Sequence, residues 1–233
     1  NSGALTLIDA TGTLSPLWND IHYSGVDATQ MFRPYIDGND LKVEIITSGI
    51  TTGSLLSDDG NANYVYAEAG ADNFLVHGAD VIFGNDGDDV FQVLDHDAAT
   101  GRPAFSFLDG GSGTNELLID GHATSYNLDL YAPWIQNFDV ISLLNDNNSD
   151  SAFISADAVR SILGDKTTSD LAGVGNALII KGETGDHLSL VSATGTGWAA
   201  DSNVPEIAGY TGYTSTNTAG DEVHLYIQNN ISV

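Results

Sequence analysis

The sequence predicts an all-β domain of sandwich or β-roll type with one or two short helices. Three observations carry that expectation. Short apolar stretches rich in Val, Ile, Leu, Phe and Tyr recur along the chain. The segments between them are crowded with Gly, Asn, Asp, Ser and Thr, which are turn residues. Only one stretch carries a full set of helix signals.

In chain order, DATQMF at 27–32 is a weak helix candidate, ended by Pro34. LKVEIIT at 41–47 alternates and is β-branched, and YVYA (64–67), VFQVL (90–94), ELLID (116–120) and DVISLL (139–144) read as strands too. SADAVRSILG at 155–164 is the clear helix. Ser155 is placed to cap it, Asp157 sits in the first turn, Gly164 ends it, and Ala158, Val159 and Ile162 form its buried stripe. NALIIK (176–181), HLSLV (187–191) and EVHLYIQ (222–228) complete the strands, with 198–221 read as a long loop.

The 233 residues are enough for one large β domain with a substantial core, and 42% apolar against 16% charged is a globular composition. The charge is lopsided: 32 acids face 6 Lys and Arg, a net charge of -26. Such a chain repels phosphate, which argues against nucleic acid and anionic membrane surfaces as partners. It also repels itself, so bound divalent cations or high salt must neutralise it. The acids cluster in Gly/Asn-rich loops, where oxygen ligands for Ca²⁺ belong, and this favours cations. Cysteine is absent, which removes disulfides, thiolate nucleophiles and the usual structural zinc sites. No apolar run reaches the ~18 residues of a membrane span. The chain starts at Asn1 with its one Met at position 31, and reads as a module cut from a longer protein and flanked by other domains.

From Gly70 to Gly121 a Gly-x-Asp-x-apolar step recurs: Gly70-Ala71-Asp72-Asn73-Phe74, Gly78-Ala79-Asp80-Val81-Ile82 and Gly87-Asp88-Asp89-Val90-Phe91. GGSGTNELL from Gly110 repeats it with Asn115 and Leu117. GNDGDDVFQ at 84–92 carries the order of the calcium-binding nonapeptide G-G-x-G-x-D-x-U-x. Glycine lets backbone carbonyls turn toward one ion, the acid supplies a hard anionic oxygen, and the apolar residue enters the core. The expectation is a calcium-stabilised ladder holding several Ca²⁺. Asp72, Asp80 and Asp89 are its leading ligands, with Asn85, Asp86, Asp88 and Asn115 beside them. The bland alternative is that Gly-Asp turns are common in any acidic β-protein.

On these repeats the chain resembles the repeats-in-toxin (RTX) family of secreted bacterial proteins. The resemblance continues through GGSGTNELLIDGHATSYNLDLYAPWIQNFDVISLL (110–144), the 155–164 helix, Gly182-Glu183-Thr184-Gly185-Asp186, Gly197-Trp198, and Tyr210 and Tyr213. It covers 70–233, and residues 1–69 match more weakly. The turns are too few for a long spacer or a flat ice-binding array, and the segment looks most like a ligand-binding module of a large adhesin. That resemblance implies Asp186 as a further calcium ligand, an extracellular, monomeric, non-enzymatic module, and a peptide or protein on another cell surface as partner. A glycan-binding lectin and a ligand-free spacer remain as alternatives.

LDHDAATGRPAFSFLD at 94–109 interrupts the ladder and is the leading ligand loop. Asp95, His96 and Asp97 could hold a cation, and Arg102 could take a carboxylate. Equally, Arg102 could pair with a nearby acid and His96 could be an ordinary loop residue. Tyr210 and Tyr213 offer amphipathic surfaces for a ligand, against a reading of plain core packing. No H-E-x-x-H, G-x-S-x-G, P-loop or dinucleotide fingerprint is present, so the motifs point to no enzyme.

Overall fold

The step from aspartate to apolar residue marks where strands begin. The computed structural model describes residues 5–9, 30–37, 40–47, 55–56, 64–67, 69–76, 78–93, 96–97, 102–119, 125–143, 149–164, 166, 177–192, 197–201 and 207–233. Residues before 65, together with 96, 97 and 102, are described by backbone alone.

The chain opens with β1 (Leu5–Asp9), β2 (Gln30–Asp37) and β3 (Asp40–Thr47), an antiparallel sheet in the order β1-β3-β2. The short helix expected at 27–32 is corrected here: Gln30, Met31 and Phe32 lie in β2, and 27–29 fall outside the described residues. Pairing with β3 continues to Asp37↔Asp40 across Gly38-Asn39. The ladder of backbone bonds overrides a weak local helix signal.

Next come β4 (Leu55–Leu56), β5 (Tyr64–Tyr66), β6 (Asn73–Val76), β7 (Val81–Phe83), β8 (Val90–Val93), β9 (His96–Asp97), β10 (Arg102–Pro103), β11 (Phe107–Asp109) and β12 (Glu116–Ile119). They are followed by β13 (Tyr126–Asn127), the short helix α1 (Leu128–Tyr131), a 3-10 turn over Ala132–Trp134, β14 (Ile135–Gln136), β15 (Val140–Leu143) and β16 (Ser151–Ser155). The chain finishes with helix α2 (Ala156–Leu163), β17 (Ala177–Lys181), β18 (His187–Val191), β19 (Ala199–Ala200), β20 (Tyr210–Thr216) and β21 (Glu222–Gln228).

From β5 to β15, apart from the β9-β10 pair and β13, successive strands alternate between two sheets. One has the order β14-β11-β7-β5, and all its neighbours are parallel. The other runs β19-β20-β21-β17-β15-β12-β8-β6-β4, parallel from β4 to β21 and antiparallel at the β21-β20-β19 end. A third parallel sheet, β13-β16-β18, continues the pattern. The fold is strand-rich with short helices, as the sequence predicts, but the parallel pairing separates it from an antiparallel sandwich.

Alternation sorts the side chains. Phe74, Phe91, Leu117, Ile141, Ile180 and Ile227 stand in register across the large sheet and are buried. Val65, Ile82, Leu108 and Ile135 stand in register on the facing sheet, in the same core cluster. The Phe74 and Phe91 rings lie 4.5 Å apart, and Phe138 meets Phe91 edge-on at 5.0 Å. Stacked identical positions let each turn bury apolar area against the next, at roughly 25 cal/mol per Å².

α2 forms where its signals place it. Ser155 accepts a hydrogen bond from the Ala158 N–H, and Ala156, Ala158, Val159, Ile162 and Leu163 are buried. The span 198–221, expected as loop, instead contains β19 and β20. YTGYTST is rich in Tyr and Thr, and β20 gains a full antiparallel partner in β21.

Candidate functional site: a buried polar ladder

Four neighbouring strands of the large sheet are each preceded by a buried polar residue. Register makes Asp72, Asp89, Asn115 and Asp139 equivalent, each one residue before β6, β8, β12 and β15. All four are 2% exposed or less. They are joined head to tail. The Asp72 N–H donates to Asp89 Oδ1 at 2.9 Å, the Asp89 N–H to Asn115 Oδ1 at 3.0 Å, and the Asn115 N–H to Asp139 Oδ2 at 2.8 Å.

Glycine makes the stacking possible. Two residues before the first three rungs stand Gly70, Gly87 and Gly113, with φ of 132°, 148° and 90°. A Cβ at Gly87 would meet the Gly70 carbonyl oxygen at 2.2 Å, and one at Gly113 would meet the Gly87 carbonyl oxygen at 2.1 Å. The fourth rung uses Asn137, at φ 61°, a region asparagine tolerates.

The rungs differ in what else their side chains meet; at Asp139 it is the ladder oxygen itself, Oδ2, that takes a second donor. Asn115 turns its Nδ2 into the carbonyls of its own turn and the next, donating to Gly111 O at 3.2 Å and Asn137 O at 3.1 Å. At Asp139, Lys166 Nζ donates both to Oδ2 and to the Gly113 carbonyl. At Asp89, Oδ2 is buried and has no hydrogen-bond donor among the described residues. It faces Gly84, where a Cβ would lie 2.3 Å from Oδ2 and 2.7 Å from Gly110 O. A carboxylate oxygen and a carbonyl oxygen of the next turn thus both face Gly84, and among the described residues none donates to Oδ2. Burial, followed by the charges of Asp72 and Asp88, pushes the Asp89 carboxyl up to about 7, against the bond from Asp72 and the charge of Lys166. The arrangement asks for a proton or a cation.

The other sequence candidates fall into three groups. Asp80 is buried on the opposite edge, before β7, and its carbonyl accepts from the Ser106 and Phe107 N–H groups. The eight- and nine-residue steps of the repeat therefore alternate between sheets, and Asp80 does not join the Asp72–Asp89 column. Asn85, Asp86 and Asp88 are exposed and brace one turn on another. Asn85 Nδ2 donates to Ala67 O at 2.6 Å, Ser112 Oγ to Asp86 Oδ1 at 2.6 Å, and the Thr114 N–H to Asp88 Oδ1 at 2.8 Å. Asp186 lies in a separate turn, where Oδ1 accepts from the Asp150 N–H at 3.0 Å and Oδ2 from the Glu183 N–H at 2.7 Å. Among the described residues, no three His, Asp or Glu side chains converge on one point, because the ladder strings its acids in a row.

Within the interruption at 94–109, β9 and β10 pair antiparallel, with Arg102 opposite Asp97 and Pro103 opposite His96, and 107–109 is β11 of the four-stranded sheet. The side chains of His96, Asp97 and Arg102, and all of Asp95, lie outside the described residues. Phe105 anchors the returning arm in the core, edge-on to Tyr131 with ring centroids 6.0 Å apart. Tyr213 packs against the main core cluster, as the packing alternative expects. Tyr210 lines a cavity of about 310 Å³ on the outer face of the large sheet. Its floor is Val90, Val140 and Ile179, Ile207 joins Tyr210 in the wall, and a Glu116–Lys181 ion pair of 3.1 Å is at hand. The floor residues Val90 and Val140 directly follow the rungs Asp89 and Asp139.

Sequence reasoning missed Asp139 and Lys166 as ladder members. Asn137-Phe138-Asp139-Val140-Ile141 is the same step with asparagine for glycine, so Asp139 was readable. Lys166 reaches Asp139 across 27 residues and left no local signal. No family model, curated protein or solved structure matches the chain.

Proposed function

We propose that this chain is an extracellular, calcium-rigidified adhesion module whose parallel turns form a short β-roll. The observation that carries the reading is Asp89 Oδ2, buried without a donor among the described residues, with the Gly110 carbonyl nearby in a turn that only glycine at 84 can close. Ca²⁺ takes hard oxygen ligands from carboxylates and carbonyls, and that is the chemistry this turn offers. A net charge of -26 gives the same cation a second reason to bind. Asp72, Asp89 and neighbouring carbonyls are the proposed ligands, and the exposed braces Asp86 and Asp88 add to the local negative field.

The proposed ligand is a peptide or protein segment on another cell surface, met by the 94–106 hairpin and by the Tyr210 cavity. The cavity supports this because its floor is built from residues adjoining the ladder, so ordering the rungs orders the floor. No catalytic step is assigned. The test is thermal melting and peptide-array binding, each with calcium and with chelator. Chelation is expected to lower the melting temperature and abolish binding together; unchanged melting and unchanged binding would reject the proposal.

A second reading, a spacer without a ligand, is favoured by the Asn115 and Asp139 rungs, which protein groups satisfy. It predicts no hits on peptide or glycan arrays and no effect of replacing 94–106 by a short turn. Hits on the glycan array alone would make the module a lectin.

A further inference from the structure

We propose that the Lys166 ammonium is the chain's own substitute for a metal ion at the end of the ladder, and that removing it opens a divalent-cation site at Asp139 and the Gly113 carbonyl. This rests on the calcium reading of the Asp89 turn.

Three equivalent rungs meet the same demand for positive partial charge in three ways. Asn115 supplies it from its own amide. Asp139, 2% exposed, receives it from Lys166, whose side chain is only 10% exposed and which bonds the same Oδ2 that takes the Asn115 N–H. Asp89 Oδ1 takes the Asp72 N–H, but Oδ2 has no donor among the described residues. The lysine is thus not a loose surface partner: its Nζ is held between a carboxylate and a backbone carbonyl, the two oxygen types that bind calcium.

Room for it comes from a shortened turn. Asp89 stands six positions after Phe83 and Asn115 six after Asp109, but Asp139 only three after Gln136. In the longer turns the Gly70 and Gly87 carbonyls each face the next glycine. The Gly113 carbonyl meets the Lys166 ammonium. Lys166 stands just beyond α2, and its N–H donates to Leu163 O at 3.1 Å, so the helix delivers the cation to the end of the row. One ammonium therefore fixes how many metal ions the row takes.

The experiment counts bound calcium by equilibrium dialysis and follows melting, on the whole chain and on Lys166→Ala. The variant is expected to bind one more calcium equivalent than the parent, to melt lower under chelation, and to recover more than the parent when calcium is added. An unchanged calcium count with an unchanged calcium response overturns the proposal. Should Lys166→Ala fail to fold without calcium, it is refolded with it. If it then folds in neither condition while Lys166→Met/Asp139→Asn does fold, the proposal is overturned, because calcium cannot replace the ammonium. A parent that binds no calcium defeats the Asp89 reading, whereas a Lys166→Ala chain that alone binds calcium upholds the lysine's role.

Discussion

Asp89 and Asn115 occupy equivalent positions and differ in one atom, an oxygen where the amide has its nitrogen. Asp89→Asn should therefore copy the neighbouring rung, keeping the acceptor for the Asp72 N–H and donating into the turn. It is expected to melt higher than the parent under chelation and to lose response to calcium at this turn, measured by calorimetry with and without calcium. The sign of its pH dependence follows from its position. The folded-state pKa of about 7 lies above the ordinary 3.8, so the folded chain holds a proton that the unfolded chain has released. In calcium-free protein this contribution is intact below pH 4 and falls as pH rises toward 7. Urea unfolding at pH 5 and pH 8 should show a larger loss for the parent than for Asp89→Asn. Gly84→Ala should destabilise by roughly 1–3 kcal/mol through overpacking against Asp89 Oδ2 and Gly110 O, read by the same denaturation.

Among the elements, α2 is held at both ends of its capping logic. Ser155→Ala removes the bond to the Ala158 N–H and is expected to cost about 1 kcal/mol in urea unfolding. The helix matters beyond its own stability because Lys166 hangs from its end. Elements were legible where the pattern was local: the apolar residue two places after each Asp or Asn rung is a core residue, as at Phe74, Phe91 and Leu117. They were illegible where pairing decided. β20 is strand because β21 lies beside it, and β2 because β3 does. The rungs at Asp72, Asp89 and Asn115 could be read from glycine spacing, whereas Lys166 could not, because a contact made across 27 residues has no period.

For the whole molecule, 32 acids against 6 Lys and Arg make the folded state self-repelling, and sodium chloride screens that repulsion without entering the Asp89 turn. Calcium is expected to raise the melting temperature more than sodium chloride at equal ionic strength. Equal shifts would reduce the ion effect to screening.

The rungs meet one another across 17, then 26, then 24 residues, yet the head-to-tail bonds are alike. What the chain conserves along its length is phase, not period. Extra sequence between β8 and β11 leaves the strands on either side in step, since the rungs flanking it lock to each other directly. Lengthening such a loop costs only the slowly growing entropy of closing it, about 0.6 kcal/mol per doubling. Sequence between β9 and β10 is therefore expected to be exchangeable at little cost, while the strands on either side keep their register.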